Sequence, residues 1–391
     1  MTILVQKYGG SSVATVEKLG LVADKVVAAK RLGHDVVVVV SAMGKTTDGL
    51  ISLAKSVADD PPRRELDMLV STGERVSMAL LSIAIQARGE DAISFTGSQS
   101  GIITSDRHFD ARIIEVRPHR IEDELHRGRI VIVAGYQGMS YRREITTLGR
   151  GGSDTTAVAL AAALGAERCE IYSDVDGVYS ADPRVVPEAR HLPEVDLASL
   201  QEMAEAGAKV LNAQAVEWAR RAKIAIHARK TQDPVDAAGG VARETVAHEG
   251  ATSRARAVVG QGAIVLADVA VEAAPRVIDH AARLGVPMLD VFVGRREASF
   301  AIPLLNVPDW QERRARLLEE AGGAVTLHEG RALVSVVGDG MSDALPRFYA
   351  ALREAGAAPQ STSGGPLRLS AVVDAAHLDA AQRALHAAFV T

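Results

Sequence analysis

Two glycine-rich segments that each carry a cation are the residues best suited to chemistry in this sequence. The first is Lys7–Ser12 (KYGGSS), which follows a strand-like run and precedes a helical one. Paired glycines let the backbone turn tightly and point N–H groups at an anion, and a helix N-terminus adds partial positive charge. Lys7 adds a full charge. The alternative is a purely structural role, as a strand–helix turn with a surface lysine, because glycine and serine are common turn residues.

The second segment is Gly149–Thr156 (GRGGSDTT), and it also leads into a helix. Two such loops in one chain would hold two anionic groups close together. Phosphoryl transfer onto a carboxylate needs that arrangement, because catalysis there is mainly positioning and charge neutralisation. The attacking carboxylate has a pKa of about 4 and needs no general base. The absence of an evident Ser–His or Cys–His pairing therefore fits this chemistry.

A third segment, Ser173–Arg184 (SDVDGVYSADPR), follows an apolar strand. Its carboxylates, its tyrosine and its final arginine could line a nucleotide site at the carboxyl end of that strand. It could equally be a turn-rich connection. The run Gly44–Thr46 resembles the end of a P-loop, but Val39 stands where the upstream glycine is required, so that motif fails. The histidines have no metal-ligand spacing, and we predict no metal site built from them.

The elements that must position these loops alternate between strand and helix up to about residue 247. This alternation predicts a mostly parallel sheet covered on both faces. The strands are predicted at Ile3–Gln6, Asp35–Val40, Ile130–Ala134 and Cys169–Tyr172, and the clearest helices at Val13–Leu32 and Asp154–Leu164. Gly165 is a plausible terminator of the second helix.

The last third of the chain contains a weak internal repeat. Asp268, Pro275, Arg276 and Gly285 recur 71 positions later as Asp339, Pro346, Arg347 and Gly356. Each copy reads as strand, helix, strand, strand, helix, which predicts two small α+β modules that bind ligands or each other. The periodicity lapses around Gln232–Glu249. We therefore predict a catalytic domain at 1–247, a linker at 248–255 and a second domain at 256–391.

Composition excludes several classes of protein. The 391 residues have a net charge of −5, which argues against a nucleic-acid partner. The only cysteine, Cys169, excludes an internal disulfide and a thiolate metal cage and is predicted to be buried. We find no signal peptide and no apolar run near the roughly 20 residues that span a bilayer. We expect a cytoplasmic protein without a membrane partner.

Seven motifs in order over the first part of the chain resemble those of the aspartate kinases, within the amino-acid kinase superfamily. They are KYGGSS at 7–12, SAMGKTTD at 41–48, GERVS at 73–77, FTGSQ at 95–99, RGGSD at 150–154, the segment 174–184 and AKVL at 208–211. The resemblance implies a three-layer α/β sandwich with a mainly parallel eight-stranded sheet, as in carbamate kinase. It implies that the repeat forms tandem ACT-like, ferredoxin-like modules.

The same resemblance implies the reaction of ATP with L-aspartate to give ADP and 4-phospho-L-aspartate, with Mg²⁺. Lys7 would stabilise the transferring phosphoryl group, and Asp154 would organise Lys7. The resemblance assigns substrate binding to Ser41, Thr47, Glu74, Arg150 and Ser153, with Arg150 on the α-carboxylate and Glu74 on the ammonium group. It assigns nucleotide binding to Gly9, Gly10, Ser11, Asp174, Tyr179, Arg184 and Lys209.

The charge pattern supports an α-amino acid independently, because an N-acetylated acid would leave Glu74 without a partner. The alternatives are a kinase of another amino-acid carboxylate and a non-catalytic ACT-type sensor. A sensor should have lost Lys7, Asp154 or Arg184, yet all three are present.

The second domain departs from the family pattern. The family's Asp-x-Pro-Gly turn is replaced by Asp268–Val271 (DVAV), and its Gln-Asn pair by Val293-Gly294. We therefore predict weak or absent feedback by lysine and threonine. The modules have half-exposed sheets that need covering, which predicts a homodimer or a higher homo-oligomer.

Overall fold

The computed structural model describes residues 2–208, 211–236, 239–251, 256–307 and 309–390. The chain divides into two compact units. The first comprises Met1–Val178, His191–Ala204 and Lys209–Ser253, and the second comprises Tyr179–Arg190, Glu205–Ala208 and Arg254–Thr391. Two short segments of the N-terminal part thus belong to the second unit, which the sequence did not indicate.

Most of the N-terminal strands belong to one large sheet. The strands are β1 (Ile3–Tyr8), β2 (Asp35–Val40), β3 (Ala92–Phe95), β4 (Ile102–Thr104), β5 (Ile113–Val116), β6 (Ile130–Ala134), β7 (Gln137–Ser140), β8 (Ile145–Thr147), β9 (Arg168–Ser173), β10 (Val178–Tyr179), β11 (His191–Leu192), β12 (Glu194–Asp196), β13 (Ala225–Lys230) and β14 (Glu244–His248). The large sheet has the order β12-β14-β13-β9-β1-β2-β6-β3. A second sheet has the order β5-β4-β7-β8, and β10 pairs with β11. Of the strand pairs described in the large sheet, only β13–β14 is antiparallel.

Helices cover both faces of the large sheet. They are α1 (Val16–Arg31), α2 (Thr46–Val57), α3 (Arg63–Val70), α4 (Thr72–Gln86), α5 (His119–His126), α6 (Gly152–Leu164), α7 (Leu197–Glu205) and α8 (Ala213–Ala222). The buried faces of α1 and α4 share one core with β1, β2 and β6. Helix α6 contacts β1, β2 and β9 and packs against α8. The result is the predicted three-layer sandwich.

The valine run of β2 shows why this sheet is central. Val36 to Val40 are all fully buried, and β2 pairs in parallel with β1 on one side and β6 on the other. A strand buried on both faces reads as a continuous apolar run. The predictions for Asp35–Val40 and Ile130–Ala134 are confirmed to the residue.

The second unit contains the predicted repeat. Its elements are β15 (Ala257–Val269), α9 (Ala274–Arg283), β16 (Leu289–Val293), β17 (Ala298–Pro303), α10 (Trp310–Ala321), β18 (Val325–Val337), α11 (Leu345–Glu354), β19 (Ser361–Gly364), β20 (Arg368–Asp374) and α12 (Leu378–Phe389). They form one sheet of order β16-β17-β15-β18-β20-β19. Strand, helix, strand, strand, helix occurs twice, so the prediction of two α+β modules is confirmed. Pro275 and Pro346 each stand in the first turn of a helix, where a missing N–H costs nothing.

Other predictions are corrected in part. Helix α1 begins at Val16 rather than Val13, because Thr15 caps it by accepting a hydrogen bond from the Lys18 amide. The stretch Gln232–Glu249, where the sequence periodicity lapses, is not all irregular, because Glu244–His248 forms β14 against β13, and the predicted linker therefore begins inside a strand at His248. Residues 252–255 of the predicted linker lie outside the described part of the chain. Gly165 ends α6 in the left-handed conformation, with a φ of 60°, and Cys169 is fully buried, both as predicted.

One stretch is long and apolar enough to cross a membrane by length and composition, which the sequence reading did not recognise. It is Arg63–Gln86, and half of its apolar window is buried inside the structure. It consists of α3 and α4, which are separated at Ser71. The core helices of a globular domain meet the same criterion, so this stretch is weak support for a membrane span.

Candidate active site

Four neighbouring strands of the large sheet end at the same edge. The parallel strands β9, β1, β2 and β6 are adjacent, with Tyr8 opposite both Val40 and Tyr172, and Val40 opposite Ala134. The loops that follow begin at Gly9, Ser41, Gly135 and Asp174. Because the carboxyl ends of parallel strands meet at one edge, these loops lie side by side, where α/β proteins bind their ligands.

The two cation-bearing glycine segments meet at this edge through an ion pair. The Nζ of Lys7 lies 2.6 Å from Oδ1 of Asp154, and the two side chains are only 11% and 10% exposed. Lys7 comes from β1, and Asp154 from the first turn of α6. A Cβ atom at Gly9 would lie 3.4 Å from this Nζ. The glycine therefore leaves the ammonium group uncovered.

The first glycine loop holds its shape through contacts with the loop after β2. The Gly44 amide donates to the Gly10 carbonyl at 3.0 Å. A Cβ at Gly10 would lie 2.8 Å from the Ala42 carbonyl oxygen, which excludes any side chain there. The Gly9 amide donates to the Tyr172 carbonyl and is therefore already used, so Gly9 acts sterically. The sequence predicted that a helix begins directly after this loop. This is wrong, because α1 begins only at Val16.

Glu74 is a buried carboxylate at the same edge. It is 3% exposed, and its Oε1 accepts a hydrogen bond from the Ala42 amide at 3.1 Å. Among the described residues, none hydrogen-bonds its Oε2. Burial raises the pKa of Glu74 to about 7, although the Ala42 amide opposes the rise. An unsatisfied carboxylate oxygen in a buried site is suited to a cationic ligand group. Ser77, on the same helix, donates to the Ser41 carbonyl at 2.7 Å.

The second glycine loop places Arg150 directly before the N-terminus of α6. Gly149 and Gly151 have φ values of 72° and 73°, the left-handed region that favours glycine. Asn212 clamps the loop, because its Nδ2 donates to the Arg150 carbonyl at 2.7 Å and its Oδ1 accepts from Thr155. The Arg150 side chain is exposed. Its backbone is therefore fixed while its guanidinium group stays accessible.

Tyr136 lies between the two halves of this site. Its φ of 69° is unusual for a residue with a side chain, and it is 9% exposed. Burial raises the pKa of its hydroxyl, which lies in the electrostatic field of Glu74 and Arg150. Next to it, a Cβ at Gly135 would lie 2.7 Å from the Ser153 hydroxyl oxygen. The loop after β6 thus packs tightly on the start of α6.

The structure brings many of the predicted site residues to one sheet edge. Lys7, Gly9, Gly10, Ser11, Ser41, Glu74, Arg150, Ser153, Asp154 and Asp174 lie in or beside its loops or in the helices that contact them, and Thr47 lies in the first turn of α2. Tyr179 and Arg184 belong to the second unit, where Asp182 binds the Arg184 guanidinium at 2.7 and 2.9 Å. Lys209 lies outside the described residues.

Sequence reasoning did not identify Gly135, Ser77, Asp67 or Thr147. Gly135 follows β6 as Gly9 follows β1, so its position after an apolar strand could have indicated it. The other three act through contacts between distant segments, which no local pattern shows.

Comparison with known proteins decides the family. The model of the amino acid kinase family matches residues 2–229. The aspartokinase of Mycolicibacterium smegmatis is 43% identical over 408 residues, which cover all of this chain and 96% of that protein. The chain belongs to the aspartokinases.

Solved aspartokinase structures agree. The aspartate kinase of Synechocystis is 34% identical, with a TM-score of 0.56, and the match covers all of this chain and 70% of that one. E. coli aspartokinase III in complex with aspartate and ADP has a TM-score of 0.87 over the whole of both chains. At 24% identity the latter shows the fold alone. The predicted fold class, an amino-acid-kinase sandwich followed by tandem ACT-like modules, is confirmed.

Proposed function

We propose that this chain transfers the γ-phosphoryl group of ATP to the side-chain carboxylate of L-aspartate, giving ADP and 4-phospho-L-aspartate. Membership of the aspartokinases supports this reaction. The observation that carries it is the Lys7–Asp154 ion pair of 2.6 Å, held at a sheet edge that also presents Glu74 and the loop of Arg150.

For this reaction the protein needs mainly to supply positive charge and to hold the two substrates in position. A carboxylate oxygen of the substrate bonds to the γ-phosphorus, and the bond from that phosphorus to the bridging oxygen breaks, its electron pair remaining on ADP. No proton moves, because the nucleophile is already ionised. Lys7 places its ammonium group where negative charge accumulates on the transferring oxygens. Asp154 holds that ammonium group in one position.

The two ends of an α-amino acid fit two separate groups. The free Oε2 of Glu74 accepts from the substrate ammonium, and Arg150 binds the α-carboxylate through a two-pronged contact. We assign hydrogen-bonding roles near the substrate to Ser41, Thr47 and Ser153. An N-acetylated acid has no ammonium group and would leave Glu74 unsatisfied.

The nucleotide is assigned to Gly10, Ser11 and Asp174 at the sheet edge, with Gly9 keeping the space above Lys7 open. The parts played by Tyr179, Arg184 and Lys209 in holding it rest on the family resemblance alone. Mg²⁺ fits the donor set. Asp154 offers one buried carboxylate, and Mg²⁺ is usually held by one or two carboxylates together with substrate phosphates and water. When bound, the ion would neutralise phosphate charge.

Hydroxylamine trapping tests the proposal. Purified protein with ATP, magnesium and L-aspartate should form a hydroxamate, and omission of ATP or aspartate should abolish it. A panel of other amino acids tests the alternative of another carboxylate acceptor. If no amino acid gave a hydroxamate, the non-catalytic sensor would be favoured and the proposal would be wrong.

Four further proposals concern the whole chain. The catalytic domain is formed mainly by 1–247 and the second domain mainly by 256–391, joined by 248–255, although Tyr179–Arg190 and Glu205–Ala208 group with the second unit and His248 ends β14. The protein works in the cytoplasm, without nucleic-acid or membrane partners. Feedback by lysine and threonine is weak. The chain forms a homodimer or a higher homo-oligomer through the ACT-like modules, and support comes from the edge strand β16, which exposes Val291, Phe292 and Val293.

A further inference from the structure

A buried carboxylate outside the proposed site links the elements that carry its two substrate-binding charges. Asp67, on α3, is completely buried. Its Oδ1 accepts from the Thr147 hydroxyl at 2.5 Å and from the Phe109 amide at 3.1 Å. Its Oδ2 lies 2.6 Å from Nδ1 of His108. Both carboxylate oxygens are thus satisfied by other segments of the chain, so Asp67 has no capacity left for a ligand.

The chain runs from each end of the Asp67–Thr147 hydrogen bond to a substrate-binding charge. From Asp67, α3 continues through the single residue Ser71 into α4, whose first turn contains Glu74. From Thr147, the last residue of β8, the chain reaches Arg150 through Leu148 and Gly149. Within the described residues, Glu74 and Arg150 do not share a secondary-structure element.

Further contacts transmit this link to the site. The Leu148 amide donates to the Tyr136 carbonyl at 2.9 Å, and the Thr147 side chain lies close enough to the Tyr136 hydroxyl to influence its pKa. The Gln137 side chain donates to the Ser71 carbonyl at 2.9 Å. A displacement of β8 would therefore move Tyr136 and the Arg150 loop relative to the start of α4.

We propose that the Asp67–Thr147 hydrogen bond is a positioning strut that sets the separation between Glu74 and Arg150, and so adapts the site to a free α-amino acid. This inference rests on the proposed function. The ammonium and carboxylate groups of an α-amino acid are attached to one carbon atom, so their partners must stand at a fixed distance. A change of about 1 Å in the position of a binding group can cost on the order of a hundredfold in rate.

The chain offers a matched control at the neighbouring residue. The Thr146 hydroxyl is also completely buried and lies 2.5 Å from that of Thr104. Thr146→Val removes a buried hydroxyl from the same strand without touching Asp67. Thr147→Val removes the strut, Thr147→Ala removes it without placing a methyl group against the carboxylate, and Thr147→Ser restores the hydroxyl.

Aspartate affinity, measured by calorimetry, is the decisive readout, with the KM for ATP and the unfolding temperature recorded alongside it. We expect T147V and T147A to weaken aspartate binding about tenfold or more, while T147S and T146V stay within about twofold of wild type. The KM for ATP should change little in all four. Equal weakening in T147V and T146V, or none in T147V and T147A, would overturn the strut. Failure of the proposed function would instead appear in the wild type, as absence of aspartate binding and of acyl phosphate.

Discussion

Lys7 and Asp154 lie far apart in the sequence and meet in a site where both side chains are largely shielded from water. Each of the two side chains is about one-tenth exposed. A charge held with little exposure to water interacts with developing charge more strongly than one in bulk solvent. This contact joins the two glycine segments and supports the proposed role of Lys7 in phosphoryl transfer.

Replacement of this lysine should abolish most of the activity while the fold remains. Lys7→Met should lower kcat on the order of a hundredfold or more, because a preorganised charge on the transferring group is lost. A matched control is Lys30→Met, which removes a partly buried ion pair of the same β1–α1–β2 region, 3.1 Å from Asp35. That variant should retain the wild-type kcat. A comparable loss of kcat in both variants would contradict the role of Lys7.

The pH dependence of aspartate binding should report Glu74. Burial raises the pKa of Glu74 to about 7, so the free protein holds a neutral carboxyl below that pH. The substrate ammonium group needs the ionised form. The dissociation constant for aspartate should therefore rise as the pH falls below about 7, approaching tenfold per pH unit, and should level off above it. In Glu74→Gln, binding should be weak and independent of pH over this range.

The same carboxyl affects the stability of the free protein in the opposite sense. Its pKa in the folded protein lies above the value of 4.5 for an unperturbed glutamate. The folded state therefore holds more proton than the unfolded state between about pH 4.5 and 7. The contribution of Glu74 to stability is present below this window and is lost as the pH rises through it.

Side chains of the neighbouring strands β13 and β9 form a buried polar network beneath α1. Arg229 is 4% and Glu170 1% exposed, and the guanidinium lies 2.7 Å from the carboxylate. Glu170 also accepts from Gln6 and from the Tyr172 hydroxyl. Tyr172 stacks on Tyr8 at 4.7 Å, directly before the Gly9 loop. The network thus supports the sheet at the point where the active-site loops emerge.

Removal of one charge of this pair should destabilise the first unit strongly. Arg229→Met leaves the buried Glu170 carboxylate with its ion pair to Arg168 but without Arg229, and it removes a partner of Glu244; this should cost about 3–5 kcal/mol of unfolding free energy. The double variant Arg229→Met, Glu170→Met should recover part of that loss, because the buried Glu170 carboxylate is then removed as well, while Glu244 and Arg168 each lose one partner. Urea denaturation measures both. A double variant less stable than the single one would contradict this explanation.

Local sequence patterns predicted the strands and helices whose residue types follow from burial. They did not predict features that depend on contacts between segments distant in the sequence. The valines of β2 and the apolar run of β6 identified central strands to the residue, because both faces are covered. Strand β14 was missed, because three of its five residues are polar and it lies near the edge of the sheet, between β12 and β13. The glycine loops were recognisable from the sequence. Asp67 and Thr147 look like ordinary helix and strand residues, and only the fold brings them together.

For the whole molecule, the tandem modules confirm a repeat that the sequence showed only weakly. Two proline-started helices and one continuous six-stranded sheet follow from it. The assignment of 179–190 to the second unit could not be predicted from the sequence. Ala181 and Val186 pack there in the core of the second module, although they follow directly on a strand–loop pattern of the first unit.

Insensitivity to lysine and threonine is expected for the whole enzyme. The first module lacks the Pro-Gly turn after Asp268 and carries Val293-Gly294 in place of a Gln-Asn pair, so polar contacts for an amino-acid effector are reduced. Initial rates with several millimolar of each amino acid, alone and together, should stay near the rate without effector. Strong inhibition by the two combined would contradict this prediction.

The proposed reaction is tested most directly by ³¹P NMR of wild-type protein with ATP, magnesium and L-aspartate and without a trapping agent. We predict an acyl-phosphate resonance that grows together with ADP and is absent when N-acetyl-L-aspartate replaces aspartate. Formation of ADP with inorganic phosphate alone from the first minutes, or equal acyl-phosphate formation from the acetylated acid, would contradict it.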